Sequence, residues 1–175
     1  MSTQRAATGT ASAMNSILQL ARARAIPLDP MQLQFTAYLC DVIYRQCVDP
    51  AMQLMGDSRW RAFKEGPIVM SAYKAMTAGG YKPGVPLDNQ FVLTDLSGHP
   101  YSYDLNSQQP LAHVINAVLT LTGLMNWQQV ANIIKVDGGA WALTCAAGEQ
   151  VITQQAISAD ICAQPLIDLT ALARC

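Results

Sequence analysis

Two histidines, five cysteines and a scatter of aspartates are the groups in this 175-residue chain that could do acid–base, nucleophilic or metal chemistry. A Ser/His/Asp arrangement needs a nucleophile on a sharp turn and a histidine held by an acid. His99 lies in the turn Gly98-His99-Pro100 and His113 falls on the polar side of a helical run, so both read as surface residues rather than general bases. A carboxylate pair would have to come from Asp41, Asp49, Asp57, Glu65, Asp88, Asp95 or Asp104, and nothing in their spacing selects two. Cys40, Cys47, Cys145, Cys162 and Cys175 contain no Cys-x-x-Cys step, and with so few histidines a zinc cluster is not expected. Reduced thiols are the plain reading, with a disulfide as the alternative. The stretch 79–84 is glycine-rich but lacks the spacing of a phosphate cradle. The expectation is a chain with no catalytic residue, metal ion or cofactor.

Binding chemistry has a better candidate. Arg59, Trp60, Arg61, Phe63 and Lys64 form a basic-aromatic strip of residue types enriched at binding hot spots, because they join large apolar area to directional donors. Arg59, Trp60, Arg61 and Lys64 are the expected partner-contacting residues. Such a strip could grip a protein, or a nucleic-acid strand by stacking and phosphate pairing. The alternation also allows a plainer reading, with Trp60 and Phe63 in the core and the three cations solvated.

Composition favours a protein partner. Hydrophobic residues make up 51% and charged residues only 13% of the chain, with net charge −1. Ordinary domains carry roughly 25% charged residues, so a partner could cover part of the apolar surplus; the competing reading is that alanine-rich helices inflate the count. Wholesale nucleic-acid binding needs a basic field that this chain lacks. No apolar run reaches the ~18 residues of a membrane span. The N-terminus carries Arg5, Arg22 and Arg24 with no acid before Asp29, superficially like a transit peptide. A flexible tail over residues 1–10, followed by one domain over 11–175, is the expected organisation, in a cytoplasmic protein without a membrane partner.

Two segments must position the strip. In the first, Gly66-Pro67 separates it from an amphipathic run with Ile68, Ala72, Tyr73 and Met76 at helical spacing. Proline has a preset φ and no N–H to lose, so Pro67 reads as the first residue of a helix. In the second, Trp127, Val130, Ala131 and Ile134 recur at i, i+3, i+4 and i+7, behind a capping-box variant of Asn126 and Gln129. Gly138-Gly139 then stops the helix and Trp141 returns to the core, so Trp127, Val130, Ile134 and Trp141 are expected to be buried together.

Taken together, these segments resemble the Panacea domain family, the SocA-like antitoxins, of which this chain is identified as a remote member. The family's Ala-Trp-Lys-Tyr-Gly-Pro-Val-type motif is matched by Ala62, Phe63, Lys64, Glu65, Gly66, Pro67 and Ile68, with Tyr73 a few residues on. Its early helix is matched by Leu33, Gln34 and Tyr38, and its late motif by Gly138 and Trp141. The late motif's Thr and His are here Ile134 and Lys135, and its Ser-Pro is Gly139-Ala140. The resemblance spans roughly residues 10–163 in order and spacing. It implies a mobile-element or prophage antitoxin that neutralises a partner toxin or effector by stoichiometric binding, or presents it to a protease or chaperone. Tyr38, Gly66, Pro67, Tyr73, Trp127, Gly138 and Trp141 are expected to be architectural. The alternative function is a nucleic-acid-binding regulator, or an enzyme whose site the sequence does not display.

The remaining elements follow from periodicity. Helices are expected at about 11–25, 30–47, 67–78, 110–122, 127–135 and 158–172, the last broken near Pro165. Residues 48–66 read as irregular. Phe91–Thr94 and Tyr101–Tyr103 read as a small hairpin around Ser97-Gly98, and 141–144 with 150–153 as a second hairpin, although the family pattern allows helix at 141–146. The fold class is mainly α (α+β): one helical domain with one or two small β-hairpins.

Overall fold

The computed structural model describes residues 2–56, 58–95 and 97–170, with side chains from residue 9 to residue 169. Met1, the side chains of residues 2–8 (Arg5 among them), Asp57, Cys175 and the end of the last expected helix lie outside that range. Eight helices and one two-stranded sheet make up the described chain, a mainly α domain. No helix among the described residues is long and apolar enough to cross a membrane.

The organising element is α2 (Pro30–Cys47), buried along nearly its whole length from Met31 to Ile43. Its start is encoded by Asp29, whose Oδ1 accepts from Met31 N at 2.7 Å and Gln32 N at 2.9 Å, while Gln32 Oε1 accepts from Asp29 N. That capping box satisfies donors that a helix start otherwise leaves bare. Around α2 pack α1 (Ser2–Ala23), α4 (Gln109–Thr122), α5 (Trp127–Ile134), α7 (Gln154–Ser158) and strand β2 (Gly66–Ile68). Met14, Ile17, Leu33, Phe35, Leu39, Ile43, Leu111, Val114, Ile115 and Val118 fill the space between them. Helix α1 begins well before residue 11, and Thr10 within it is buried, its hydroxyl donating to Met55 O at 3.2 Å.

Several local expectations need correction. Pro67 does not open a helix: it lies in β2, antiparallel to β1 (Arg61–Phe63), and helix α3 (Met70–Ala78) starts only after Val69. The register explains why proline is tolerated in a strand. Pro67 faces Ala62, whose N–H points away from β2 to Gln150 O at 2.8 Å, so the pair needs no donor from Pro67. Residues 141–146 are helical, within α6 (Ala140–Ala146), instead of forming a hairpin arm. Gly148, at φ 71°, ends that region, and Val151 bridges Arg61 instead, giving β1 a partner on its second edge. The hairpin expected around Ser97-Gly98 reduces to one bridge, Thr94 to Pro100. The helix expected at 158–172 is present only from α8 (Gln164–Thr170): α7 ends at Ser158, residues 159–163 are non-helical, and Pro165 sits in the first turn of α8, where a missing N–H is harmless. Trp127 and Trp141 are half-buried at the core's edge rather than enclosed with Val130 and Ile134.

Candidate functional site

Arg61–Phe63 of the strip form β1, with Arg59 and Trp60 just before it and Lys64 in the turn after it. Trp60 is 0% exposed, whereas Arg59, Arg61 and Lys64 are exposed and Phe63 is half-buried. Trp60 is therefore not a surface contact. Its indole Nε1 donates to Asp41 Oδ2 at 2.9 Å, and its ring meets Tyr38 edge-on with centroids 5.2 Å apart. The other oxygen of Asp41 accepts from Arg45 Nε at 2.9 Å, one helical turn along α2. Tyr38 donates in turn to Asp160 Oδ2 at 2.5 Å, and Asp160 Oδ1 accepts from Cys162 N. Burial, then the charge of Asp160, holds the Tyr38 phenol well above its ordinary range, so it stays a proton donor. Burial likewise pushes the Cys40 and Cys162 thiols up, away from the reactive thiolate.

Gly66 behaves as the sequence demands, for a reason the sequence does not display. Its φ is +148°, and a Cβ there would come within 2.7 Å of the Phe35 ring. Phe35 also meets Trp127, with ring centroids 6.4 Å apart, so Gly66, Phe35 and Trp127 form one stack from hairpin to α5. Asn126 and Gln129 cap α5 reciprocally, each bond 2.9 Å, as their spacing predicts.

The early and late segments meet at the β1–β2 turn. Trp141 Nε1 donates to Phe63 O at 2.8 Å, and Lys135 Nζ donates to Lys64 O at 3.0 Å. Lys135 also lies 5.2 Å from the centroid of the Trp141 ring, a cation–π contact. Lys135 thus serves as a clamp on the turn. Gly138, at φ 80°, and Gly139, the N-cap of α6, aim Trp141 back at that turn. Beside it opens a groove of about 260 Å³ lined by Lys64, Glu65, Trp127, Gln128, Asn132 and Lys135. Tyr73 is half-buried on α3. Gln34 secures the strand-to-helix junction by bonding both the N–H and the carbonyl of Val69, at 3.0 and 3.1 Å.

His99 and His113 are both exposed, and His99 Nδ1 lies 3.9 Å from Asp95 Oδ1, beyond hydrogen-bond reach. Among the described residues no three His, Cys, Asp or Glu side chains are grouped to hold a metal ion. Asp41, Arg45 and Asp160, which fix the strip from below, escape sequence reasoning; the one available signal was a charged pair at i, i+4 in an otherwise apolar helix. No family model matches the chain, and no curated protein or solved structure matches it either.

Proposed function

We infer that the chain is a protein-binding module whose working surface is the basic edge of the β1–β2 hairpin and the groove beside it. One observation carries this: three exposed cations, Arg59, Arg61 and Lys64, flank a turn whose carbonyls are held by Trp141 and Lys135. A surface already rigid loses little freedom on binding, so more of each contact appears as affinity. The half-buried rings of Trp127 and Trp141 add apolar area next to those charges. The matching partner presents carboxylates around an apolar centre. In the antitoxin reading that the motif resemblance implies, that partner is a toxin or effector masked by stoichiometric binding. The enclosure of Trp60 weighs against the nucleic-acid alternative, since it removes the aromatic expected to stack on bases.

The test is Arg59→Glu with Arg61→Glu, co-expressed with the product of a neighbouring gene and scored by co-purification and growth. Charge reversal should weaken binding by about 2–5 kcal/mol while leaving the melting temperature in place. Unchanged co-purification would move the interface elsewhere, and retention on heparin that vanishes in the variant would favour nucleic acid.

A further inference from the structure

The groove beside the hairpin turn holds a cation that the fold positions but does not neutralise. Lys135 is half-buried at the end of α5. Its Nζ is placed by the Lys64 carbonyl at 3.0 Å and by the Trp141 ring, whose centroid lies 5.2 Å away. Neither contact is an anion. Lys135 forms no ion pair with a carboxylate among the described residues. An ammonium has three donors, so two remain once Lys64 O is served. Lys64, whose side chain is exposed, lines the same groove of about 260 Å³. Glu65 is the one acid among the described lining residues, so the two lysines leave the groove with an excess of positive charge. From α5 the lining takes the half-buried Trp127 ring, Ala131, and the exposed amides of Gln128 and Asn132, one helical turn apart.

We propose that this groove receives the C-terminal residue of the partner protein, a free α-carboxylate carried beside an apolar side chain. The proposal rests on the reading of the hairpin edge and its groove as the working surface, and it names what enters the groove. The carboxylate meets the ammonium groups of Lys64 and Lys135, a charge-assisted contact stronger than one between neutral groups. Trp127 and Ala131 take the apolar side chain, and the amides of Gln128 and Asn132 suit the last peptide group. Size argues for a chain end. The groove lies below the ~300–1,000 Å³ of sites that enclose drug-sized ligands, so charge and apolar group must sit close together. A terminal residue carries both on one Cα. An internal aspartate or glutamate takes its apolar neighbour from another residue, and its chain has to leave the groove in both directions. A phosphate, with a charge of about −1.5 to −2, meets more repulsion from Glu65 than a carboxylate does. Lys135 is already placed by Lys64 O and Trp141, so little of its freedom is lost when the carboxylate arrives.

The experiment is a ¹H–¹⁵N NMR titration of the full chain with N-acetyl-L-leucine, and in parallel with N-acetyl-L-leucinamide, which lacks the charge. The acid should shift the Trp127 indole N–H and the amides of Lys64, Glu65, Asn132 and Lys135 saturably, and the amide should not. Lys135→Gln should weaken the acid about tenfold, the weight of one charge-assisted contact. It should keep the fold, because Trp141 still holds Phe63 O. Glu65→Gln, at an exposed position, leaves the clamp untouched and removes the like charge, so it should tighten the acid by up to about fivefold. Two further ligands separate the sources. N-acetyl-L-aspartic acid α-amide carries its carboxylate on a side chain, and 4-methylpentanoate has leucine's carboxylate and side chain without the peptide group. Binding by either as tight as that of N-acetyl-leucine overturns the proposal, as do equal shifts by the leucinamide, undiminished binding to Lys135→Gln, weaker binding to Glu65→Gln, or no saturable shift at all. The titration contains no partner protein, so its failure is distinct from a failure of the Arg59 and Arg61 co-purification test.

Discussion

Asp41 and Asp95 are both carboxylates withdrawn from water, at 1% and 6% exposure, yet they are used in opposite ways. Both oxygens of Asp41 are taken, by Arg45 and by the Trp60 indole, and the three residues tie α2 to the strand that carries the basic strip. Asp95 has one oxygen engaged by its own loop and one unclaimed. A satisfied buried carboxylate is an architectural joint, because removing it strands its partners. A half-satisfied one shapes its loop through one oxygen and leaves the other unmet, so it ties no second element to the first. The hairpin presents charge on a rigid exposed edge, whereas Asp95 keeps its charge inside its own loop.

The same one-atom change at both positions tests this contrast. Asp41→Asn leaves Arg45 buried without a counter-charge and turns an amide donor toward a donor, so it should cost about 3–5 kcal/mol in urea unfolding. A loss no larger than that of an ordinary surface change would show that Arg45 does not depend on Asp41. Gly66→Val comes next, since it combines a φ of +148° with a Cβ 2.7 Å from the Phe35 ring. A loss of about 3 kcal/mol is expected. Gly98→Ala provides the control, for Gly98 has φ +80° with open space around it, and should cost only about 1 kcal/mol. If the two glycine changes cost the same, the close approach of Phe35 contributes nothing. The smallest effect is at Asp95: Asp95→Asn should move stability by less than about 0.5 kcal/mol, because the loop keeps its acceptor. Comparable losses at Asp41 and Asp95 would erase the distinction between the two carboxylates.

Sequence reading and structure agree best where the signal is local. The capping box of Asn126 and Gln129, the apolar spacing of α5 and the body of α2 are all set by residues within a few positions of one another, so they were legible. Pro67 was misread because its two roles, helix start and edge strand, differ only in what stands opposite. That depends on Ala62 donating to Gln150, some ninety residues away. The hairpin reading of Trp141 to Val151 failed for a related reason, and the helix left open at 141–146 is what forms. Alternating apolar residues there suggested two arms of a hairpin, but β1 had a free edge that took Val151, while the first arm was left to its own helical hydrogen bonds.

What the sequence determined by itself is therefore a mainly helical domain, the positions of its capped helices, and the need for glycine at 66, since these follow from backbone preferences and apolar period. The glycine's cause, the Phe35 ring, came only with the packing. Tertiary structure alone decided that Trp60 belongs to the core while its neighbours Arg59 and Arg61 face outward. It also decided that Trp141 and Lys135 seize the turn at 63–64, and that Asp41 is satisfied while Asp95 is not. Each of these turns on a partner distant in the chain, and a side chain's chemistry states what it can bond to without stating what the fold will bring within reach.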